Sequence, residues 1–565
     1  MTERISISRR SFLQGGLLAG TGALAASMTI GCTPQSAAMT ESEHIDSPCW
    51  LGEEPSVADS DIIAEETTDF LIIGAGNAGM TAAATADDLG LDFIIAEKGS
   101  CVGDTREYVG AANSSYALEV AAPVDEMKLL NEMTRYASGR ADQRAIKTWL
   151  DEGKEMIEWL TPIMAEAGKE LVINPMAEEH PAGGTYYFAP TLEHCYMPTY
   201  EYPMRNDIFE ARITDHGHTV RYEHELVLLD HADGKVSGAI FRTPEGYKRI
   251  KARKGTLLAT GGYAANPEMV QELLPLVPRC CTAASYSLRC TGDGLKAALW
   301  AGASKDVNGA PMIFDRGAVP PGVDCGYVTD ADGTQHFPGT SYQVNIGSQP
   351  FLKVNRKGER FVNESLPYDT LCNAASYQPG GVWCQIFDGN ATEDIMRFDT
   401  TGCATYTPIM LGLGIPFDEF LSMDGADGSM MKADTLDELA GLLGFEGEDK
   451  ERLLATIERY NGIAASGIDT DFGKESHRLS SITEPPFYGC WFGGTLLTTI
   501  DGLRINKDMQ VLSEDGNVIE GLYAAGDVSG SFFSDNYPEY LIACACGRTC
   551  TEGRHVARLL AGDLG

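Results

Sequence analysis

Gly74, Gly76 and Gly79 follow directly on the apolar run Phe70-Leu71-Ile72-Ile73, the spacing with which a strand turns into a helix around a dinucleotide pyrophosphate. Each glycine has a mechanical task there. Gly74 permits the tight turn, Gly76 offers no Cβ to obstruct the phosphates, and Gly79 lets the helix close on the sheet while its N-terminal amides face the anion. Residues 80–90 then read as an Ala-rich helix and Asp92–Ala96 as a second buried strand, ending in Glu97. An acid about 20 residues beyond such a turn meets the ribose hydroxyls, and Glu97 stands 18 positions after Gly79. A plain surface charge is the alternative reading of Glu97.

Two further segments separate FAD from NAD as the ligand. Thr256-Leu257-Leu258-Ala259-Thr260-Gly261-Gly262 is another buried strand with a glycine turn, and Gly521-Leu522-Tyr523-Ala524-Ala525-Gly526-Asp527 is a third. The triple pattern resembles two-dinucleotide-fold flavoproteins, whose late Gly-Asp carboxylate contacts the flavin side of FAD. The alternative is structural, because parallel strands of any doubly wound sheet end in glycine turns.

These segments imply an α/β fold. It would hold a two-dinucleotide-binding-type FAD domain, made of a parallel sheet with helices and a small antiparallel unit, and an inserted α+β capping domain. The expected order is a signal over 1–31, a flexible linker over 32–66, the first part of the FAD domain over 67–307, the cap over 308–485 and the second part over 486–565. Helices are expected over 125–170, a hairpin from His218–Leu229 and Val236–Ile240 about Asp233-Gly234, and helices after the capping box Thr435-Leu436-Asp437-Glu438 and over Asp449–Ala465. At 565 residues the chain is long enough for such an assembly.

The chain holds 43 basic and 81 acidic residues, a net charge of −38. Such a balance argues against nucleic acid or anionic lipid as partner and suits docking of a basic redox protein. Ser8-Arg9-Arg10-Ser11-Phe12-Leu13, followed by a Gly- and Ala-rich apolar stretch, looks like a twin-arginine export signal and places the protein in the periplasm or at the cell surface. Thr29-Ile30-Gly31-Cys32 resembles a lipoprotein cleavage box, in which Cys32 would carry a membrane tether. The 15 cysteines read as mostly free and buried; Cys544, Cys546 and Cys550 have poor spacing for a metal cluster, and no metal site is expected.

Several strings together resemble the fumarate reductase and 3-ketosteroid dehydrogenase group of FAD proteins: the 74–79 fingerprint, Glu97-Lys98, Gly103-Asp104-Thr105, Gly110-Ala111, Thr291-Gly292-Asp293-Gly294, Gly358-Glu359-Arg360-Phe361-Val362-Asn363-Glu364, Phe492-Gly493-Gly494 and Ala525-Gly526-Asp527. The resemblance implies that Gly74, Gly76, Ala78, Gly79, Glu97, Asp104, Thr105, Gly110, Ala111, Asp293, Asp527 and Ile542 line FAD. It also implies hydride transfer to an electron-poor carbon, with a side chain protonating the neighbouring one. The arginine that fumarate reductases place after a Phe-Asp pair is missing, since Phe387-Asp388 leads to Thr392, unless Arg397 has taken its place. The family's histidine before Met-Gly-Gly is replaced within Cys490-Trp491-Phe492-Gly493-Gly494, and its late Asn-Arg reads Asn536-Tyr537.

A dicarboxylate needs paired cations to offset its desolvation, so these departures imply a larger, less anionic substrate. Tyr537, Glu539 and Tyr540 are then the candidate proton or hydrogen-bond donors; alternatively the tyrosines pack the flavin edge and Glu539 meets water. Arg360 and Glu364 are expected to position the cap, with a proton relay through Glu364 as the alternative. The leading expectation is an FAD reductase of an activated C=C bond in a small enoate or enone, fed by a separate cytochrome or quinol-linked donor in anaerobic electron transfer. A 3-ketosteroid-type dehydrogenase and a flavin electron carrier are the alternatives.

Overall fold

Four apolar runs, Phe93–Ala96, Ile62–Ile73, Gly246–Leu258 and Val518–Ala524, lie side by side in parallel. Ile73 sits level with Ala96 on one side and Leu258 on the other, and Ala524 is level with Leu258. Parallel strands all finish at the same edge of their sheet, so the segments beginning at Gly74, Glu97, Ala259 and Ala525 emerge together. In an open α/β sheet that edge is the ligand edge. The computed structural model describes residues 50–564 except 104–105, 121–122, 175–191, 340–342, 401, 427 and 539–540. The export signal, Cys32, Asp104, Thr105, Glu539 and Tyr540 lie outside the described residues.

Helix Asn77–Asp88 buries its alanines on this sheet, and the C-terminal helix Cys544–Ala561 crosses it so closely that a Cβ on Gly553 would stand 2.3 Å from the Ala78 carbonyl oxygen. Helices Glu126–Tyr136 and Gln143–Glu166 are each capped by an aspartate, Asp125 and Asp142, whose carboxylate accepts first-turn N–H groups. The hairpin pairs Glu225–Ala232 with Lys235–Thr243 about Asp233 and Gly234, both at positive φ as a type I′ turn requires. Residues 218–224 do not extend its first strand as expected. They run past the end of Phe93–Ala96 instead, where the Arg221 N–H donates to the Ile95 carbonyl at 2.8 Å and His218 stacks on Phe93.

The expected flexible linker is shorter than 32–66. Residues 62–66 already belong to the first strand, paired with 247–250, and Trp50 is buried. The polar composition that suggested a tether serves an exposed ribbon extension, where Glu65 pairs with Lys251 at 2.6 Å and Asp59 with Arg249 at 2.7 Å.

A second sheet is built on the long strand Phe487–Thr499, which pairs antiparallel with Pro311–Val319, Trp383–Phe387 and Met431–Ala433, and parallel with Cys281–Ala284. It draws strands from both sides of positions 307 and 485. Helices Leu436–Leu442, capped by Thr435, and Gly447–Ser466 cover its outer face through Leu439, Leu453, Ile457 and Tyr460. Beside them Arg360 forks onto Glu364 at 2.7 and 2.8 Å and onto Asp469 at 2.7 and 3.0 Å. Burial pushes the Glu364 carboxyl up, but Lys474 and Arg360 outweigh it and hold the group below its ordinary range.

Candidate cofactor and active site

The turn after Ile73 is as tight as its glycines suggest. Gly74 has φ +104°, and a Cβ there would stand 2.4 Å from the Ala259 carbonyl oxygen; on Gly79 it would stand 1.9 Å from the Gly74 oxygen. Gly76 differs, because a Cβ on it would meet no protein atom within 4 Å. It caps helix Asn77–Asp88 without any side-chain cap, so the helix's orphan N–H groups face that open space. A space bordered by unpaired amides and kept clear of side chains fits a pyrophosphate. Ala78, buried behind it, receives the C-terminal helix.

Glu97 is buried beside this turn. One oxygen accepts the Ala75 N–H at 2.9 Å and the other the Gly99 N–H at 2.8 Å, with Arg289 at 3.2 Å. The oxygen on Ala75 keeps a second acceptor site, which a ribose hydroxyl can use. Asp293 opens helix Asp293–Trp300 after Gly292, whose φ is +85°, and is tied to Lys98 at 2.7 Å.

The far end of the trough is made by the third glycine turn and the start of the C-terminal helix. Asp527 accepts from the Thr498 hydroxyl at 2.7 Å and lies 3.6 Å from the buried Arg548, whose guanidinium is stacked over Phe532 and Phe533. Glu552, also buried, accepts the Gly526 N–H at 2.8 Å and the Ser529 hydroxyl at 3.0 Å; desolvation pushes its carboxyl up. Gly110 is wedged against the segment entering the helix: its N–H donates to Ala543 at 3.0 Å, and a Cβ would stand 2.5 Å from the Ile542 oxygen. Ala111 and Ile542 are both buried at this joint.

Packed against this end is a wall of aromatic side chains, joined to it by Trp149, which donates to the Gly110 carbonyl at 3.3 Å and meets Phe532 edge-on. Phe314, Tyr368, Phe532, Phe533 and Tyr537 share one buried cluster with Ala404 and Leu541. Tyr368 accepts the Ala404 N–H at 2.9 Å and packs edge-on against Phe314 at 4.9 Å. Its neighbour Asp369 is buried between three segments, accepting from Tyr136 at 3.2 Å and the Thr370 N–H at 2.8 Å, with the Asn536 amide 3.2 Å away. Burial pushes Asp369 up to about 6.

The residues expected to carry catalysis are placed unevenly. Tyr537 is in the aromatic wall, but its hydroxyl donates to the Leu541 carbonyl at 2.9 Å, and burial pushes its phenol well above the ordinary range. Arg397 does not join it. It pairs with Asp394 on its own helix, donates to the His477 carbonyl and is 43 % exposed, so its guanidinium is spent within the cap region. Thr392, at the position of the missing arginine, is exposed, and Asp388 caps chain turns by accepting from Asn390, Thr483 and Glu484. Tyr136, Arg548 and Glu552 escaped the sequence reading, and Tyr368 and Asp369 were given no role in it. Only Tyr368-Asp369 carried a signal, by following the Arg360–Glu364 string.

Comparison with known proteins agrees with this geometry. Residues 69–539 match the family described as FAD binding domain. The chain is 26 % identical over 507 residues to a vinyl phenol reductase of Lactiplantibacillus plantarum, covering 87 % of this chain and 97 % of the relative. It is 26 % identical over 510 residues to a cytochrome-type fumarate reductase of Shewanella frigidimarina, covering 86 % and 75 %. The fold matches that of a 3-ketosteroid delta1-dehydrogenase from Sterolibacterium denitrificans with a TM-score of 0.65 at 21 % identity, over 88 % of this chain and all of that one. The open phosphate turn at Gly76 and a family match spanning both sheets give one conclusion: the chain belongs to the FAD binding domain family, and FAD is its cofactor.

Proposed function

We propose that this flavoprotein reduces an activated C=C bond, conjugated to a carbonyl or carboxyl group, in a small organic acceptor. The observation that carries the reading is the aromatic wall containing Tyr368 and Tyr537, which adjoins the Gly110–Ile542 joint and is largely apolar. FAD, when bound and reduced, supplies the hydride equivalent for the electron-poor carbon. The protein's own part is to stack a planar substrate, exclude water and deliver a proton to the neighbouring carbon.

Tyr368 is the favoured donor. Its hydroxyl accepts the Ala404 N–H within the aromatic wall, whereas Tyr537 directs its proton to the Leu541 carbonyl. Glu539 and Tyr540, close behind in sequence, are further donors in this proposal. Gly74, Gly76, Ala78, Gly79, Glu97, Asp104, Thr105, Gly110, Ala111, Asp293, Asp527 and Ile542 are proposed to hold FAD.

The relatives named as fumarate and vinyl phenol reductases support reduction as the direction. Electrons would arrive from a separate cytochrome or quinol-linked donor. The protein is proposed to be exported by the Arg9-Arg10 signal and tethered through Cys32; Arg9→Lys with Arg10→Lys should leave it in the cytoplasm. Oxidation of dithionite-reduced viologen, followed across enoates, aryl-substituted acrylates, vinylphenols, enone steroids and fumarate, tests the activity. Turnover with none of the C=C compounds overturns the reading, and fumarate turnover as fast as the best of them overturns its exclusion of diacids.

A further inference from the structure

Arg316 lies on strand Pro311–Val319 and is only 3 % exposed. Its two hydrogen bonds go to neutral groups: Nε donates to the Ser348 hydroxyl at 2.7 Å and Nη1 to the Gln343 carbonyl oxygen at 2.9 Å. Nη2 is buried and has no hydrogen-bond partner among the described residues. Asp315 reaches it only through Ser348, whose hydroxyl donates to Asp315, and the buried Asp424 feels its charge without forming an ion pair with it among the described residues. A buried guanidinium without direct ionic compensation is costly, and proteins retain one where an anionic ligand completes it.

The ligand side of Arg316 is identified by its neighbours. The guanidinium lies 5.0 Å from the centre of the Phe314 ring and 5.3 Å from that of Tyr368. Both rings belong to the aromatic cluster that also contains Phe532, Phe533 and Tyr537. Ser348 and Gln343 fix two edges of the planar fork, so the remaining Nη2 is a pre-oriented donor at the margin of the wall.

We propose that Arg316 is the specificity-determining residue that holds a single carboxylate of the substrate. Resting on the reading of this site as a C=C reductase, the acceptor is then an α,β-unsaturated monocarboxylate with a planar apolar substituent. Arg548, the other guanidinium at these rings, already faces Asp527 at 3.6 Å and Glu552 at 3.7 Å, so Arg316 is the cation left to match one carboxylate, and the rings beside it take the apolar remainder. A diacid would leave its second carboxylate among aromatic side chains.

The test uses FAD-loaded enzyme and a saturated, unreactive pair of probes, 3-phenylpropanoate and 3-phenylpropanamide, with binding read from the change in flavin absorbance and by calorimetry. The parent should bind the acid more tightly than the amide by about thirtyfold or more, the scale set by a desolvated charge pair. Arg316→Gln should abolish that preference while binding the amide as before, and Arg316→Lys should restore part of it. Equal binding of acid and amide by the parent overturns the proposal, as does an unchanged preference in Arg316→Gln. If Arg316→Gln fails to fold, Arg316→Lys decides the matter, an undiminished preference there overturning the proposal. A parent that reduces enones or vinylphenols but ignores the carboxylate defeats this inference and leaves the reductase reading intact. One that prefers the acid yet reduces no C=C compound does the reverse.

Discussion

Tyr537 donates its hydroxyl to the carbonyl oxygen of Leu541, 2.9 Å away and one turn further along the same loop. The bond is buried and internal, so its loss should be felt in stability before chemistry. Tyr537→Phe is expected to cost about 1 kcal/mol of unfolding free energy and to change kcat on the best substrate by no more than about threefold. Urea unfolding and steady-state kinetics check both halves. A large drop in kcat with unchanged KM and stability would return this hydroxyl to the proton-transfer step.

Tyr368 is expected to behave in the opposite way. Tyr368→Phe keeps the packing on Phe314 but deletes the proton, and kcat should fall by about 10²–10⁴-fold, the usual contribution of a positioned acid. Retention of flavin absorbance in the variant would show that the cofactor site is intact, and parental turnover would eliminate Tyr368 as the donor.

Gly76 and Gly79, three residues apart, should fail for different reasons. At Gly76 a Cβ would meet no protein atom within 4 Å, so Gly76→Ala should fold with the apoprotein midpoint of the parent and yet retain little FAD. At Gly79 a Cβ would collide with the Gly74 oxygen at 1.9 Å. Gly79→Ala should therefore destabilise even the apoprotein, by about 1–3 kcal/mol. Flavin content and apoprotein melting, measured together, separate the two.

The buried Asp369 carboxyl is raised from an ordinary 3.8 to about 6 by desolvation. Between these values the folded protein holds a proton that the unfolded chain has released, so this group adds stability as pH falls through that window and costs stability above it. Relative to Asp369→Asn, the parent should gain on the order of 1–3 kcal/mol as pH drops from about 6 to about 4, with the difference flat above that window. A difference independent of pH would mean that Asp369 titrates normally.

Glu364 has both oxygens on Arg360 and lies 3.4 Å from Lys474. Glu364→Gln leaves two buried cations undercompensated and is expected to destabilise the fold by about 3–5 kcal/mol, read as a lower urea midpoint. A stable variant that lost activity alone would instead favour the proton-relay reading of this residue.

How much of this was legible depended on the distance over which the residues act. The glycine turn at 74–79 and the strand ends at Leu258 and Ala524 follow from local spacing, because turn geometry and strand burial are decided within about ten residues. Asp369 could not be found that way. It is assembled by Tyr136 and Asn536, which lie far away in sequence on either side, and no local pattern records that meeting. Arg316 was equally hidden, since a lone arginine in a strand gives no sign that it is buried with no carboxylate paired directly to it among the described residues. Arg397 misled because its position along the chain resembled that of a catalytic arginine, whereas its helix turns it toward Asp394. Residues 62–66 misled because an edge ribbon laced with surface charges has the composition of a tether.

Strand Phe487–Thr499 has a consequence for how the protein can be taken apart. Its first half carries Trp383–Phe387 and Met431–Ala433; its last residues deliver Thr498 to Asp527 and Thr499 to the Tyr263 amide. One uninterrupted backbone thus serves as the common beam of both halves. Excising 308–485 would leave that beam only Cys281–Ala284 as a neighbour and expose a bare edge, so neither half is a removable module, and grafting a foreign lid onto this flavin scaffold would require the beam to be transplanted with it.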